Sequence, residues 1–126
     1  MKKILIVLAD YYDDISTLLL KSAKNNLNNF SLKIIRVPGV FEIPVTISKN
    51  IKKYDAFIAL GCVIKGETPH FDFISSASTQ AIMDLAVKSK KPIGNGIITC
   101  LNKKQAKNRG KKGKEAANAV ISVLSQ

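Results

Sequence analysis

At 126 residues the chain has the length of one domain and can bury enough surface to fold without disulfide staples. Apolar residues make up 46% and charged residues 23%, which excludes a disordered composition; Cys62 and Cys100 fit neither a disulfide framework nor a zinc-finger spacing. The net charge of +11 points toward nucleic acid, anionic membranes or phosphorylated small molecules, but every base except Arg36 and Arg109 is lysine, which favours solvated lysine faces over bidentate recognition.

Lys3–Ala9 (KILIVLA) is a continuous apolar run, as expected of a strand covered on both faces. Only six apolar residues precede Asp10, too few for a signal h-region or a membrane span. Together with the two unpaired thiols, this predicts a soluble protein of a reducing cytoplasm. Asp13 or Asp14 can cap a helix whose apolar positions Ile15, Leu18, Leu19, Ala23 and Leu27 recur at helical spacing. A second strand, residues 32–37 (LKIIRV), stops at Pro38 and Gly39. Residues 41–52 read as a helix entered through Pro44, whose missing N–H costs little in a first turn. Residues 54–64 (YDAFIALGCVI) are the longest buried-strand candidate.

A loop from Lys65 to Pro69 then opens a helix with Ile74, Ala77, Ala81, Ile82, Leu85 and Ala86 as its inward stripe. Lys90, Lys91 and Pro92 break it. Residues 93–99 (IGNGIIT) form a fourth strand, weakened by two glycines. The remainder is helical, polar at first and then amphipathic through Ala116, Ala117, Val120, Val123 and Leu124. Strands alternating with helices imply right-handed crossovers and a parallel sheet. The expected fold is α/β: a flavodoxin-like, three-layer αβα sandwich on a four-stranded parallel sheet, one domain over residues 1–126. Ligands in such sheets bind beyond the carboxyl ends of the strands.

Three of those ends look least like generic structure. His70 is the only histidine, placed where a helix starts; it reads either as an exposed first-turn residue or as a proton carrier, since imidazole titrates near neutral pH. Gly66, Glu67 and Thr68 precede the same helix, whose unpaired N–H groups could hold an anion, or they form an ordinary turn. In Val37-Pro38-Gly39-Val40-Phe41-Glu42-Ile43-Pro44 a rigid strand exit presents an aromatic ring beside a carboxylate. That pair suits a flat heterocycle with a hydroxylated tail; the alternative is a turn with Phe41 in the core. Tyr11 and Tyr12 could stack on the same heterocycle, line the core or meet another subunit. Residues 103–114 carry seven basic residues and no acid. The run reads as a solvated face, as anion ligands Arg109 and Lys112, or as a nucleic-acid patch, although it lacks the aromatic residues that single-strand readers use.

Over nearly its whole length the chain resembles the 6,7-dimethyl-8-ribityllumazine synthases. The resemblance rests on VPGVFEIP (37–44), YDAFIALGCVIKGETPHFDFI (54–74), GIIT (96–99) and KGKEAA (112–117). It implies a transferase of riboflavin biosynthesis that condenses 5-amino-6-(D-ribitylamino)uracil with 3,4-dihydroxy-2-butanone 4-phosphate, without metal or organic cofactor. By the same resemblance, Tyr11 is the ring stacked on the pyrimidine. Val40, Phe41 and Glu42 contact pyrimidine and ribityl chain, and Cys62, Val63 and Ile64 run along them. Gly66, Glu67 and Thr68 form the phosphate loop, with Arg109 and Lys112 as basic partners, and His70 transfers protons.

Asn95 stands where many members carry a phenylalanine that reaches a neighbouring subunit's site. Asp10-Tyr11-Tyr12 replaces the usual Arg-Phe-Asn, and the loop between Arg109 and Lys112 is shorter than usual. The resemblance also implies a homopentamer with interfacial sites and small-molecule partners, not nucleic acid or membrane. Many relatives carry an extension ahead of the first strand that pairs with an adjacent subunit; here the strand begins at once, which makes a sixty-subunit shell the lesser expectation. The competing expectation is a lumazine- or flavin-binding module without catalysis.

Overall fold

The apolar run at the start of the chain forms β1 (Lys3–Ala9), and its side chains from Ile4 to Ala9 are all buried, as a strand covered on both faces requires. The structure, a computed structural model, describes residues 1–66 and 68–126. After β1 follow α1 (Asp13–Lys24), β2 (Ser31–Val37), a single 3₁₀ turn (Val40–Glu42), α2 (Ile43–Lys49), β3 (Ala56–Ile64), α3 (His70–Ser89), β4 (Ile93–Cys100), α4 (Lys103–Asn108) and α5 (Lys112–Leu124). The four strands form one parallel sheet in the order β2-β1-β3-β4. α1, α4 and α5 cover one face, α2 and α3 the other. The layered α/β architecture expected from the alternating pattern is the architecture observed.

Side-chain alternation splits the core into two layers. Ile4, Ile6, Leu8, Ile58 and Leu60 meet Ile15, Leu19 and Val120 on the α1/α5 side. Leu5, Val7, Phe57 and Ala59 meet Ile43, Ile47 and Ile82 on the α2/α3 side. Each fully buried Leu, Ile or Phe contributes about 1.5–3 kcal/mol, so this double layer dominates the stability. No helix among the described residues is long and apolar enough to cross a membrane.

Four local expectations need correction. Neither Asp13 nor Asp14 caps α1 through its side chain; Tyr12 occupies that position, its carbonyl accepting from the N–H groups of Ile15 (3.1 Å) and Ser16 (2.9 Å). The two aspartates sit instead in the first turn, where carboxylates complement the helix dipole. The helix expected over 41–52 is a 3₁₀ turn followed by only two turns of α2, ended by the Asn50 cap and a turn before β3. The glycines of β4 do not weaken it: a side chain at Gly94 would run into the Ala116 carbonyl, so the glycine permits α5 to lie against the strand. The inward stripes are also narrower than expected. Leu18, Ala77 and Val123 are exposed, and the buried residues of α3 are only Ser78 and Ile82.

Candidate active site at the strand exits

The site begins with a step in the sheet. β1 pairs with β3 only as far as Leu8 opposite Leu60, whereas β3 continues against β4 to Ile64 opposite Cys100. Residues 62–64 therefore project beyond β1, and among the described residues no strand pairs with the edge they turn toward it. A cleft of about 360 Å³ opens over this step, floored by Cys62, Val63 and Ile64. Backbone donors and acceptors along an unpaired edge can read the polar rim of a planar ring.

Three chain segments wall the cleft. Tyr11 and Tyr12 close the β1 side, Gly39 to Glu42 the β2 side, and His70 with Ile74 the α3 side. The β1 corner is rigid because the Ser16 hydroxyl donates to the Ala9 carbonyl at 2.6 Å, tying α1 to the end of the strand. The β2 corner is brought inward by Gly61. A methyl there would lie 2.9 Å from Val40 Cγ2 and 3.0 Å from Ala9 Cβ, so only glycine lets Val40 press against β3. With Val40 buried, the next residues Phe41 and Glu42 are delivered to the cleft, Phe41 with 71% of its surface exposed. Glu42 folds over Gly39, where a methyl would come 3.3 Å from its Oε1.

Helix geometry explains the third wall. His70 opens α3, and Ile74 follows one turn later on the same face. The His70 N–H points to Thr68 Oγ1 at 3.4 Å, a long contact. Burial pushes the Cys62 thiol up to about 12, helped by Cys100 behind it and opposed by Arg109, so this floor residue stays neutral and poorly nucleophilic. Burial likewise raises the Tyr12 phenol, with Tyr11 adding to the effect, so it remains a protonated hydroxyl.

Of the residues singled out in the sequence, Tyr11, Tyr12, Val40, Phe41, Glu42, Cys62, Val63, Ile64 and His70 share this cleft. The others do not line it. Arg109 ends α4 and donates from Nη1 to the Thr99 carbonyl at 3.1 Å, at the carboxyl end of β4. Because the Lys65 N–H bonds the Cys100 carbonyl at 2.9 Å, that end of β4 lies where the Gly66 loop departs. Lys112 begins α5 and lies 3.9 Å from Glu115. Gly66 is open, with nothing near the position of a Cβ, and Thr68 is exposed. Glu67 lies outside the described residues. Asn95 sits at mid-strand on β4, opposite Ala59, where its Oδ1 accepts from the Ile97 N–H at 3.0 Å. Gly39 and Ile74 complete the lining. The helical i, i+4 relation to His70 was the available signal for Ile74.

A family model described as 6,7-dimethyl-8-ribityllumazine synthase matches residues 1–126. The chain is 45% identical over 134 aligned positions to the 6,7-dimethyl-8-ribityllumazine synthase of Rhodopseudomonas palustris (strain BisA53), covering 95% of this chain and 82% of that one. It is 41% identical over 133 positions to the protein of that name from Cutibacterium acnes, covering 98% and 80%. Among solved structures, a 3-dehydroquinate dehydratase-like protein from Bifidobacterium longum superposes with a TM-score of 0.52 over 100% of both chains. At 14% identity that likeness concerns the fold alone.

Proposed function

This chain belongs to the 6,7-dimethyl-8-ribityllumazine synthase family, and on that premise we propose that its strand-exit cleft joins 5-amino-6-(D-ribitylamino)uracil to 3,4-dihydroxy-2-butanone 4-phosphate. The ring amine adds to the ketone and water leaves to give an imine. Inorganic phosphate is then eliminated, and ring closure with loss of a second water yields the lumazine. One observation carries the reading: the chain's only imidazole, His70, shares a cleft with an aromatic wall, a carboxylate and an unpaired strand edge.

Each step asks for a group the site supplies. The pyrimidine lies between Tyr11 and Phe41, its polar rim against residues 62–64, and Glu42 accepts hydrogen bonds from the ribityl hydroxyls. His70 moves protons during imine formation and elimination. Gly66, Glu67 and Thr68, which precede α3 in the sequence, hold the departing phosphate with Arg109, and Lys112 adds positive charge nearby. Aligning two substrates supplies much of the acceleration.

The protein works as a cytoplasmic homopentamer in this reading. The cleft runs through Phe41, Glu42 and Ile74 into an apolar groove of about 350 Å³ between α2 and α3, where Val45 and Ala77 are exposed and Ala81 is half-buried. Such a groove beside an exposed Phe41 suits a neighbouring protomer as its cover. Asn95, on the outer strand, then faces a neighbour's site with an amide where relatives use a ring. Mixing both substrates with the protein should release phosphate and a fluorescent lumazine faster than the spontaneous reaction. His70→Ala should slow turnover roughly a hundredfold or more while the fold persists. Equal rates with and without protein would overturn the reading, and tight product binding without turnover would mark a binding module instead.

A further inference from the structure

The two tyrosines that follow β1 differ sharply in how they are held. Tyr11 is 75% exposed, and among the described residues no hydrogen bond fixes its hydroxyl. Tyr12 is half-buried and packs against the α1/α5 core, and its carbonyl is bonded twice by the first turn of α1. The rings meet edge to face, with centroids 4.9 Å apart and planes at 78°. This is the preferred geometry of an aromatic pair, in which the positive edge of one ring meets the negative face of the other.

We propose that Tyr12 is a positioning residue for the condensation: anchored on the core side, it holds the Tyr11 ring across the mouth of the cleft and so sets the site's affinity for the planar pyrimidine substrate. The inference rests on the function proposed above but assigns a role to a different side chain. An exposed tyrosine released from its neighbour samples several χ1 rotamers, and only some of them present its face to the cleft. Holding the ring in advance removes an ordering cost that substrate would otherwise meet on binding. The phosphorylated butanone lies toward the Gly66 end and does not touch the pair, so its binding should be indifferent to Tyr12. The neutral phenol of Tyr12 also keeps a negative charge away from the stacked ring.

The experiment compares four forms of the full-length protein: the parent chain, Tyr12→Leu, Tyr12→Phe and Tyr11→Ala combined with Tyr12→Leu. Turnover is measured against each substrate, and lumazine binding by fluorescence titration. Tyr12→Leu should raise KM for the aminopyrimidine roughly two- to tenfold with kcat and the KM of the butanone phosphate little changed, the effect expected from losing one aromatic pair. Tyr12→Phe, which keeps the ring, should recover most of that loss. In the Tyr11→Ala background, Tyr12→Leu should add no further penalty, the non-additivity expected of a residue acting through another.

Equal loss of affinity for both substrates, or full additivity with Tyr11→Ala, would overturn the proposal. So would a Tyr12→Phe protein as impaired as Tyr12→Leu, because that would place the function in the hydroxyl. If the parent chain itself gives no turnover, the proposed function fails instead; the lumazine titration still tests the ring pair, and unchanged affinity in Tyr12→Leu would sink it separately.

Discussion

On the α1/α5 side of the sheet, α5 lies so close to β4 and to α1 that side chains are excluded at the contacts: Gly94 of β4 meets the Ala116 carbonyl, and Gly113 of α5 meets the Leu19 carbonyl of α1. The α2/α3 side stands off. There Val45, Phe73, Met83 and Val87 keep more than half their surface open, and α3 buries only Ser78 and Ile82 fully. The first layer is completed by the chain itself, whereas the second leaves apolar surface contiguous with the cleft, the surface that the proposed pentamer would cover.

Four substitutions or titrations can break or sharpen this contrast. Leu19→Ala removes a fully buried side chain from the closed layer and should destabilise the protein by about 2–5 kcal/mol in urea melts. An unchanged midpoint would show that layer to be less tightly packed than its glycine contacts imply. Gly61→Ala, at the boundary between sheet and cleft, should cost about 1–3 kcal/mol by overpacking Val40 and Ala9. It should also weaken lumazine binding, because Phe41 and Glu42 ride on that turn. If binding survives a measured loss of stability, the turn is not held by Val40.

The third test is alkaline titration. The folded Cys62 thiol is raised from 9.0 to about 12, so between those values the unfolded chain has lost a proton that the folded chain keeps. Stability from this group is therefore present below pH 9.0 and falls as pH rises toward about 12. Replacing Cys62 with alanine should flatten the decline in urea midpoint across that window, and an identical slope would deny the thiol any part in it. The smallest expected effect on chain stability is that of Val87→Ser on the open layer, within about 0.5 kcal/mol. For the pentamer proposed above, the consequence should appear in sedimentation as a shift toward smaller species; an unchanged sedimentation coefficient would exclude that end of α3 from any subunit contact.

The centre of the sheet was legible because composition and length agreed there: KILIVLA and AFIALGCVI admit no half-exposed reading, and both are buried nearly throughout. The site was legible where residue type and strand exit coincided, at Phe41, Glu42 and His70. Capping chemistry was not. Tyr12 took the position an aspartate was expected to fill, capping α1 with its backbone carbonyl rather than with a side chain, a role that residue type does not announce. The stripe on α3 was overdrawn for a different reason: apolar periodicity does not say how far a face is covered, and Ala77 is exposed in this chain. Nor could spacing reveal that Asn95 bonds its own strand at Ile97, since that depends on which way one amide turns.

The interleaved order β2-β1-β3-β4 also bears on how the protein acquires its activity. The cleft draws on residues 11–12, 39–42, 62–64 and 70–74, so a nascent chain that has emerged only through its second strand possesses no part-formed pocket of lower affinity. Parallel pairings of this kind close late, after helices and local turns have condensed. During refolding, recovery of lumazine fluorescence should therefore lag behind recovery of helical signal and mark the moment when the centre of the sheet zips.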